Sequence, residues 1–143
     1  MQIADVMTRN VEVIHPDSIL QEAAEKMRLL NVGMIPVCDG ERLVGMLTDR
    51  DITVRATAEG RDPAKTKVRE AMTPQVIYCF EDQTVKEAAK LMEEKQIRRL
   101  PILSRDKRLI GIISLGDLAV DTGNDKLAGQ TLSEISEPAR PNR

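Results

Sequence analysis

The sequence predicts an α/β (α+β) fold built from a tandem β-α-β-β-α repeat. Three observations carry this prediction. First, Met7-Thr8 returns as Met72-Thr73, an offset of 65 that also relates Asp17 to Asp82, Glu22-Ala23-Ala24 to Glu87-Ala88-Ala89, Met27 to Met92 and Pro36 to Pro101. Second, Gly45, Thr48 and Asp51 return as Gly111, Ser114 and Asp117 at an offset of 66, which places one extra residue in the second copy's turn. Third, within each copy a helical spacing of apolar residues gives way to two short apolar runs joined by a polar turn. Two copies are too few for an open solenoid, so a closed pair is expected.

Each element has a local reason. The first copy opens on an extended piece at residues 11–14, matched by 76–80 in the second. A helix follows. Ser18 with Gln21, and Thr84 with Glu87, are spaced as capping pairs. The helix stripes are Leu20, Ala23, Ala24, Met27 and Leu30 in the first copy and Val85, Ala88, Ala89 and Met92 in the second. That spacing puts each set on one face. Strands are expected at 35–38 and 43–47, then at 100–103 and 109–113, joined by Asp39-Gly40-Glu41-Arg42 and by Ser104-Arg105-Asp106-Lys107-Arg108. A last helix begins near Asp51 or Asp117.

The boundaries read as repeat 1 at 1–57, a linker at 58–69, repeat 2 at 70–122 and a polar tail at 123–143. Gly60, Asp62-Pro63 and the surrounding charges mark the linker as a solvated connection. In the tail, Leu127, Leu132 and Ile135 could line one side of a short docked helix; the other reading is a mobile tail, with the Pro-rich end disordered.

Composition narrows the function. A chain of 143 residues can bury roughly two thirds of its unfolded surface without staples. A net charge of −2 provides no basic field for duplex nucleic acid or an anionic membrane. No apolar run approaches about 18 residues, and the opening MQIADVMTRN lacks a signal-peptide pattern. A cytoplasmic protein is expected. Cys38 and Cys79 lack metal-ligand spacing and are expected as buried thiols; a disulfide is less favoured without an export signal. Tyr78 and Phe80 are the only aromatics, so no base-stacking surface can be built. His15, the single histidine, precedes Pro16 in a surface turn. No triad, nucleophile elbow or metal-binding set is legible, so no enzyme chemistry is expected.

Thr48-Asp49-Arg50-Asp51 and Ser114-Leu115-Gly116-Asp117 each stand where a strand gives way to a helix. A Thr or Ser there can cap the helix, and an Asp in its first turn favours the helix dipole. A helix start also presents free N–H groups that suit a phosphate, and a neighbouring carboxylate can accept ribose hydroxyls. Both readings stay open on the residues alone.

The duplicated pattern resembles the cystathionine β-synthase (CBS) domain, and the pair resembles a stand-alone CBS-pair, or Bateman, module. The residues carrying the resemblance are Val6-Met7-Thr8, Glu22-Ala23-Ala24, Ile35-Pro36-Val37 and the run Gly45 to Ile52. Their counterparts are Ala71-Met72-Thr73, Glu87-Ala88-Ala89, Leu100-Pro101-Ile102 and the run Gly111 to Leu118. The resemblance covers roughly residues 3 to 121. It implies two repeats related by a pseudo-twofold axis, with adenosine-containing ligands such as AMP, ADP, ATP, NAD or S-adenosylmethionine in two clefts between them.

Carried over by position, the resemblance implies a preferred site of Thr8, Val11, Val13, Ile35, Arg99, Ser114 and Asp117. It implies a second site of Met34, Thr48, Arg50, Asp51, Thr73, Val76, Tyr78 and Leu100. Arg99 and Met34 are counterparts, a forked guanidinium against a thioether, so the phosphorylated ligand is expected at the first site. Arg50, whose counterpart is Gly116, could partly compensate at the second. The structural alternative for Arg98-Arg99 is a solvated pair at a helix end.

The function expected is a non-catalytic sensor: a homodimer with no covalent cofactor, a regulatory adenine nucleotide and an unidentified protein partner. One alternative is a scaffold whose clefts are filled by its own side chains. A weaker one is a nucleic-acid binder using residues 65–69 with Arg98-Arg99.

Overall fold

In space the two repeats trade their opening segments. The computed structural model describes residues 1–120 and 125–135. One compact unit, unit I, is Glu12–Val76; the other, unit II, joins Met1–Val11 to the described residues from Ile77 onward. Unit I contains α1 (Leu20–Leu30), β1 (Met34–Asp39), β2 (Arg42–Thr48) and α2 (Asp49–Ile52). α2 runs on into a π-helical turn, Thr53–Thr57. Unit II contains β3 (Cys79–Phe80), α3 (Val85–Lys95), β4 (Arg99–Leu103), β5 (Leu109–Ser114), α4 (Leu115–Val120) and α5 (Asp125–Ile135).

The expected hairpins form. β1 and β2 are antiparallel, with Met34 opposite Thr48. β4 and β5 are antiparallel, with Arg99 opposite Ser114, and β3 adds in parallel beside β4. The turns close through left-handed backbone at Gly40 (φ 64°) and Lys107 (φ 65°). The early extended pieces are shorter than expected. In unit I only Ile14 joins the sheet, through a single parallel bridge to Val37.

The same backbone joint is built twice. Ile3 N–H donates to the Gln83 carbonyl at 2.9 Å, and Val68 N–H donates to the Ser18 carbonyl at 2.8 Å. Val85 N–H meets the Met1 carbonyl at 3.1 Å, as Leu20 N–H meets the Thr66 carbonyl at 2.9 Å. This explains two departures from the sequence reading. Thr84 and Glu87 form the expected capping box. Ser18 does not cap α1; the N-cap is Ile19, which has no side-chain acceptor. The linker caps the helix instead, with Pro63 accepting Gln21 N–H at 3.1 Å. The linker is therefore more than a solvated connection: Thr66 and Val68 are buried while the charged residues around them face water.

The helix stripes differ between the units. Val85, Ala88, Ala89 and Met92 are all buried in the core of unit II. In unit I, Leu20, Ala23 and Met27 are buried, but Ala24 is exposed and Leu30 is 43% exposed. The difference lies with α5, which packs on α3 and α4. Ile135 enters the core, Thr131 is fully buried, and its hydroxyl bonds to Glu93 Oε1 at 3.3 Å. The docked-helix reading thus holds for Asp125–Ile135; the Pro-rich end lies outside the described residues, as does the side chain of Leu127.

Gly45 and Gly111 are required by close approach. A Cβ on Gly111 would stand 2.7 Å from Met7 Sδ and 2.9 Å from the Thr8 carbonyl; one on Gly45 would meet Met72 Sδ and the Thr73 carbonyl at the same distances. The Met-Thr segment crosses directly over the middle of the strand, where only glycine leaves room.

Candidate functional site

That crossing sets the Met-Thr segment beside the strand that ends in the Thr/Ser and Asp pair. In unit II, Thr8 N–H donates to the Ile112 carbonyl at 2.8 Å and Ile112 N–H returns to the Thr8 carbonyl at 3.0 Å. Ser114 follows two residues later. Asp117 N–H donates to Ser114 Oγ at 3.1 Å, and Asp117 Oδ2 accepts Ser114 N–H at 2.8 Å. Unit I repeats the arrangement: Thr73 pairs with Met46, Asp51 N–H donates to Thr48 Oγ1 at 3.0 Å, and Asp51 Oδ2 accepts Thr48 N–H at 3.0 Å. The capping geometry is therefore real in both units. It occupies only one oxygen of each carboxylate.

The second oxygen differs between the units. Asp51 Oδ1 lies 3.8 Å from Arg55 Nε, one helical turn on. The same guanidinium donates to the Met72 carbonyl at 3.1 Å. Asp117 Oδ1 has no hydrogen-bond partner among the described residues. It remains able to accept from a hydroxyl.

An open cleft of about 510 Å³ lies within unit II. Arg98, Arg99, Ser114, Leu115 and Gly116 border it together with Gly129 and Leu132 of α5. Of the expected preferred set, Arg99 and Ser114 line this cleft; Thr8, Val11 and Asp117 belong to the same unit but do not border it. Val13 and Ile35 belong to unit I. Of the second set, Met34, Thr48, Arg50, Asp51, Thr73 and Val76 belong to unit I, and Tyr78 and Leu100 to unit II. The side chains of Ile35 and Leu100 are buried in the cores of their units. Tyr78 stacks edge-on to Phe80, with ring centroids 5.5 Å apart, and the Phe80 face carries the Arg105 guanidinium.

Arg55, Arg98, Leu115, Gly116, Gly129 and Leu132 stand outside the expected site residues. Arg55 could have been found as the i+4 partner of Asp51. Gly129 and Leu132 could not, because nothing local places α5 on α3 and α4.

The remaining titratable groups serve structure. Cys38 and Cys79 are free and buried, and burial pushes each thiol up to about 11. His15 stands half-exposed in its turn, accepting Asp17 N–H on Nδ1. Arg69 holds the Asp17 carboxyl below the usual range by a hydrogen bond, and Arg105 does the same for Asp82. Among the described residues, no group of three or more His, Cys, Asp or Glu side chains is placed to hold a metal ion. No helix among them is long and apolar enough to cross a membrane.

A paired strand-helix motif built twice, each with a Thr or Ser bonded to an Asp, defines a CBS-domain pair. The family named CBS domain matches residues 3–56 and 68–120. The chain belongs to this family. It is 44% identical over 134 residues to the CBS domain-containing protein YhcV of Bacillus subtilis, covering 94% of each chain. Among solved structures it resembles CBSX2 in complex with AMP, with 28% identity and a TM-score of 0.75 over 87% of this chain and 98% of that one. It also resembles the CBS domain pair of protein MJ0100 in complex with 5′-methylthioadenosine and S-adenosyl-L-methionine, with 27% identity and a TM-score of 0.74 over the same shares.

Proposed function

We propose that the protein is a non-catalytic sensor that binds an adenosine-containing ligand and passes its bound state to a separate protein. The observation that carries this reading is Asp117 Oδ1, left without a hydrogen-bond partner among the described residues, next to Ser114, which borders an open cleft. A ribose hydroxyl can donate to that oxygen while Ser114 Oγ and Arg99 face a phosphate. The AMP complex of CBSX2 supports the ligand class. Ligand binding acts on a partner only if the ligand binds two arrangements of the protein unequally.

Within unit II the preferred site is proposed to draw on Thr8, Val11, Arg99, Ser114 and Asp117, and within unit I the second is proposed to draw on Met34, Thr48, Arg50, Asp51, Thr73 and Val76. Arg55 favours the scaffold alternative for the second site, because it already faces the oxygen a ribose would need. The protein is further proposed to act as a homodimer in the cytoplasm. Its α1 leaves Leu29 and Leu30 exposed, and the turn after α2 exposes Val54. The matching helices of unit II are covered by α5, and a second copy is the cover proposed here.

Calorimetry and thermal shift with AMP, ADP, ATP, NAD and S-adenosylmethionine test the reading. Ligand at about 100 times its Kd should stabilise the fold by roughly 2.7 kcal/mol. No heat and no shift with any of the five would leave the scaffold reading standing.

A further inference from the structure

The two units share one backbone joint and differ in the charge they hang on it. Leu115 N–H donates to the Arg98 carbonyl at 3.0 Å, and Asp49 N–H donates to the Gly33 carbonyl at 3.0 Å. The positions are therefore equivalent in space as well as in sequence. Unit II places Arg98 and Leu115 there; unit I places Gly33 and Asp49. The next residue is Arg99 in unit II and Met34 in unit I. In unit I the Asp49 carboxylate fills the space at the glycine: a Cβ on Gly33 would lie 3.1 Å from Asp49 Oδ2. Arg50 follows Asp49 and offsets its charge. The joint of unit II thus carries two cations, against a near-neutral joint in unit I.

Both cations of unit II reach the same space. Consecutive residues of a strand point to opposite faces, yet Arg98 stands just before β4, and Arg98 and Arg99 both border the cleft. Both are exposed, and neither forms an ion pair among the described residues. The α5 part of the lining leaves room for a long anion: Gly129 presents no side chain, and among the described residues a Cβ built there meets nothing within 4 Å outside its own helix backbone. The cleft volume of about 510 Å³ is of ligand size. A guanidinium engages phosphate oxygens through two parallel N–H bonds. Two adjacent guanidiniums offer two such forks, and a chain of two or three phosphates can engage each fork on a separate phosphate.

We propose that the unit II cleft selects a nucleoside polyphosphate over a nucleoside monophosphate, with Arg98 and Gly129 as specificity-determining residues. This rests on the adenosine-ligand reading above. It goes beyond that reading by assigning Arg98 and α5 to the site and by naming the charge of the ligand.

Calorimetry on the full chain at one fixed salt concentration tests it, with adenosine, AMP, ATP and inorganic tripolyphosphate as probes. The expected result is ATP at least tenfold tighter than AMP. Arg98→Ala should bring ATP down to the AMP level and leave AMP within twofold. Gly129→Leu suits a helix and meets no protein atom at its Cβ; it should weaken ATP at least tenfold with the melting temperature retained. Equal ATP and AMP affinities, unchanged in Arg98→Ala, would overturn the inference and leave the adenosine reading intact. Tripolyphosphate binding that depends on Arg98, without any nucleoside binding, would uphold the polyphosphate site and overturn the adenosine reading. No binding of any probe would overturn both.

Discussion

Asp117 and Ser114 bind each other reciprocally: the Asp117 N–H donates to Ser114 Oγ at 3.1 Å, and its Oδ2 accepts the Ser114 N–H at 2.8 Å. One residue pair thus starts α4 and leaves the other carboxylate oxygen without a hydrogen-bond partner among the described residues. The two roles can be separated. Asp117→Asn keeps an acceptor for the cap but removes the charge, and should weaken adenine-nucleotide binding at least tenfold with little change in melting temperature. Asp117→Ala removes the cap too and should cost about 1 kcal/mol of stability in a urea titration. Unchanged nucleotide affinity in both variants would remove Asp117 from the site.

One substitution should act with opposite signs at two glycines. Gly111→Ala forces a Cβ to within 2.7 Å of Met7 Sδ and 2.9 Å of the Thr8 carbonyl. It should destabilise the fold by about 1–3 kcal/mol, as overpacking does. Gly129→Ala brings its Cβ within 4 Å of no described atom outside the local helix backbone and should stabilise by up to about 1 kcal/mol through helix propensity. Urea midpoints of the two variants give the signs directly.

Cys38 and Cys79 predict an alkaline weakness. Burial raises both thiols to about 11, with Glu87 adding to the effect on Cys79. The unfolded chain therefore loses these protons at lower pH than the folded one. The stabilisation is complete below the ordinary thiol pKa of about 8.5 and is lost as pH rises through about 11. Urea midpoints should fall across that window, and a Cys38→Ala, Cys79→Ala variant should show a smaller fall. In native protein at neutral pH, a thiol reagent should react with neither cysteine until unfolding exposes it.

Self-association should depend on unit I. Leu29 is 81% exposed and Val54 is 47% exposed. Leu29→Lys combined with Val54→Lys should reduce the mass measured by light scattering from dimer to monomer and leave the fold intact. An unchanged dimer would place the interface elsewhere.

The repeat was legible because each local decision agreed with its copy. Thr84 with Glu87, the Gly40 turn, and the apolar stripe from Val85 to Met92 all depend on neighbours within a few residues, and all appear as the spacing predicts. Ser18 failed as a cap for a non-local reason. Its carbonyl is used by Val68, and the N–H groups of α1 are met by Pro63 and Thr66. Ala24 and Ala89 occupy the same place in the repeat and have opposite exposure; within unit II, α5 packs on α3, the helix that carries Ala89.

Sequence alone determined the duplicated β-α-β-β-α plan, its hairpins and the pairing of Thr48 with Asp51 and Ser114 with Asp117. These follow from periodicity, turn chemistry and capping, whose range is a few residues. Only the tertiary structure decided that each Met-Thr segment crosses a distant glycine, that the Arg55 guanidinium reaches the Met72 carbonyl, and that α5 lines the cleft holding Arg98 and Arg99. Those contacts join residues far apart in the chain. Burial and backbone hydrogen bonding across the fold set them, and local sequence does not encode either.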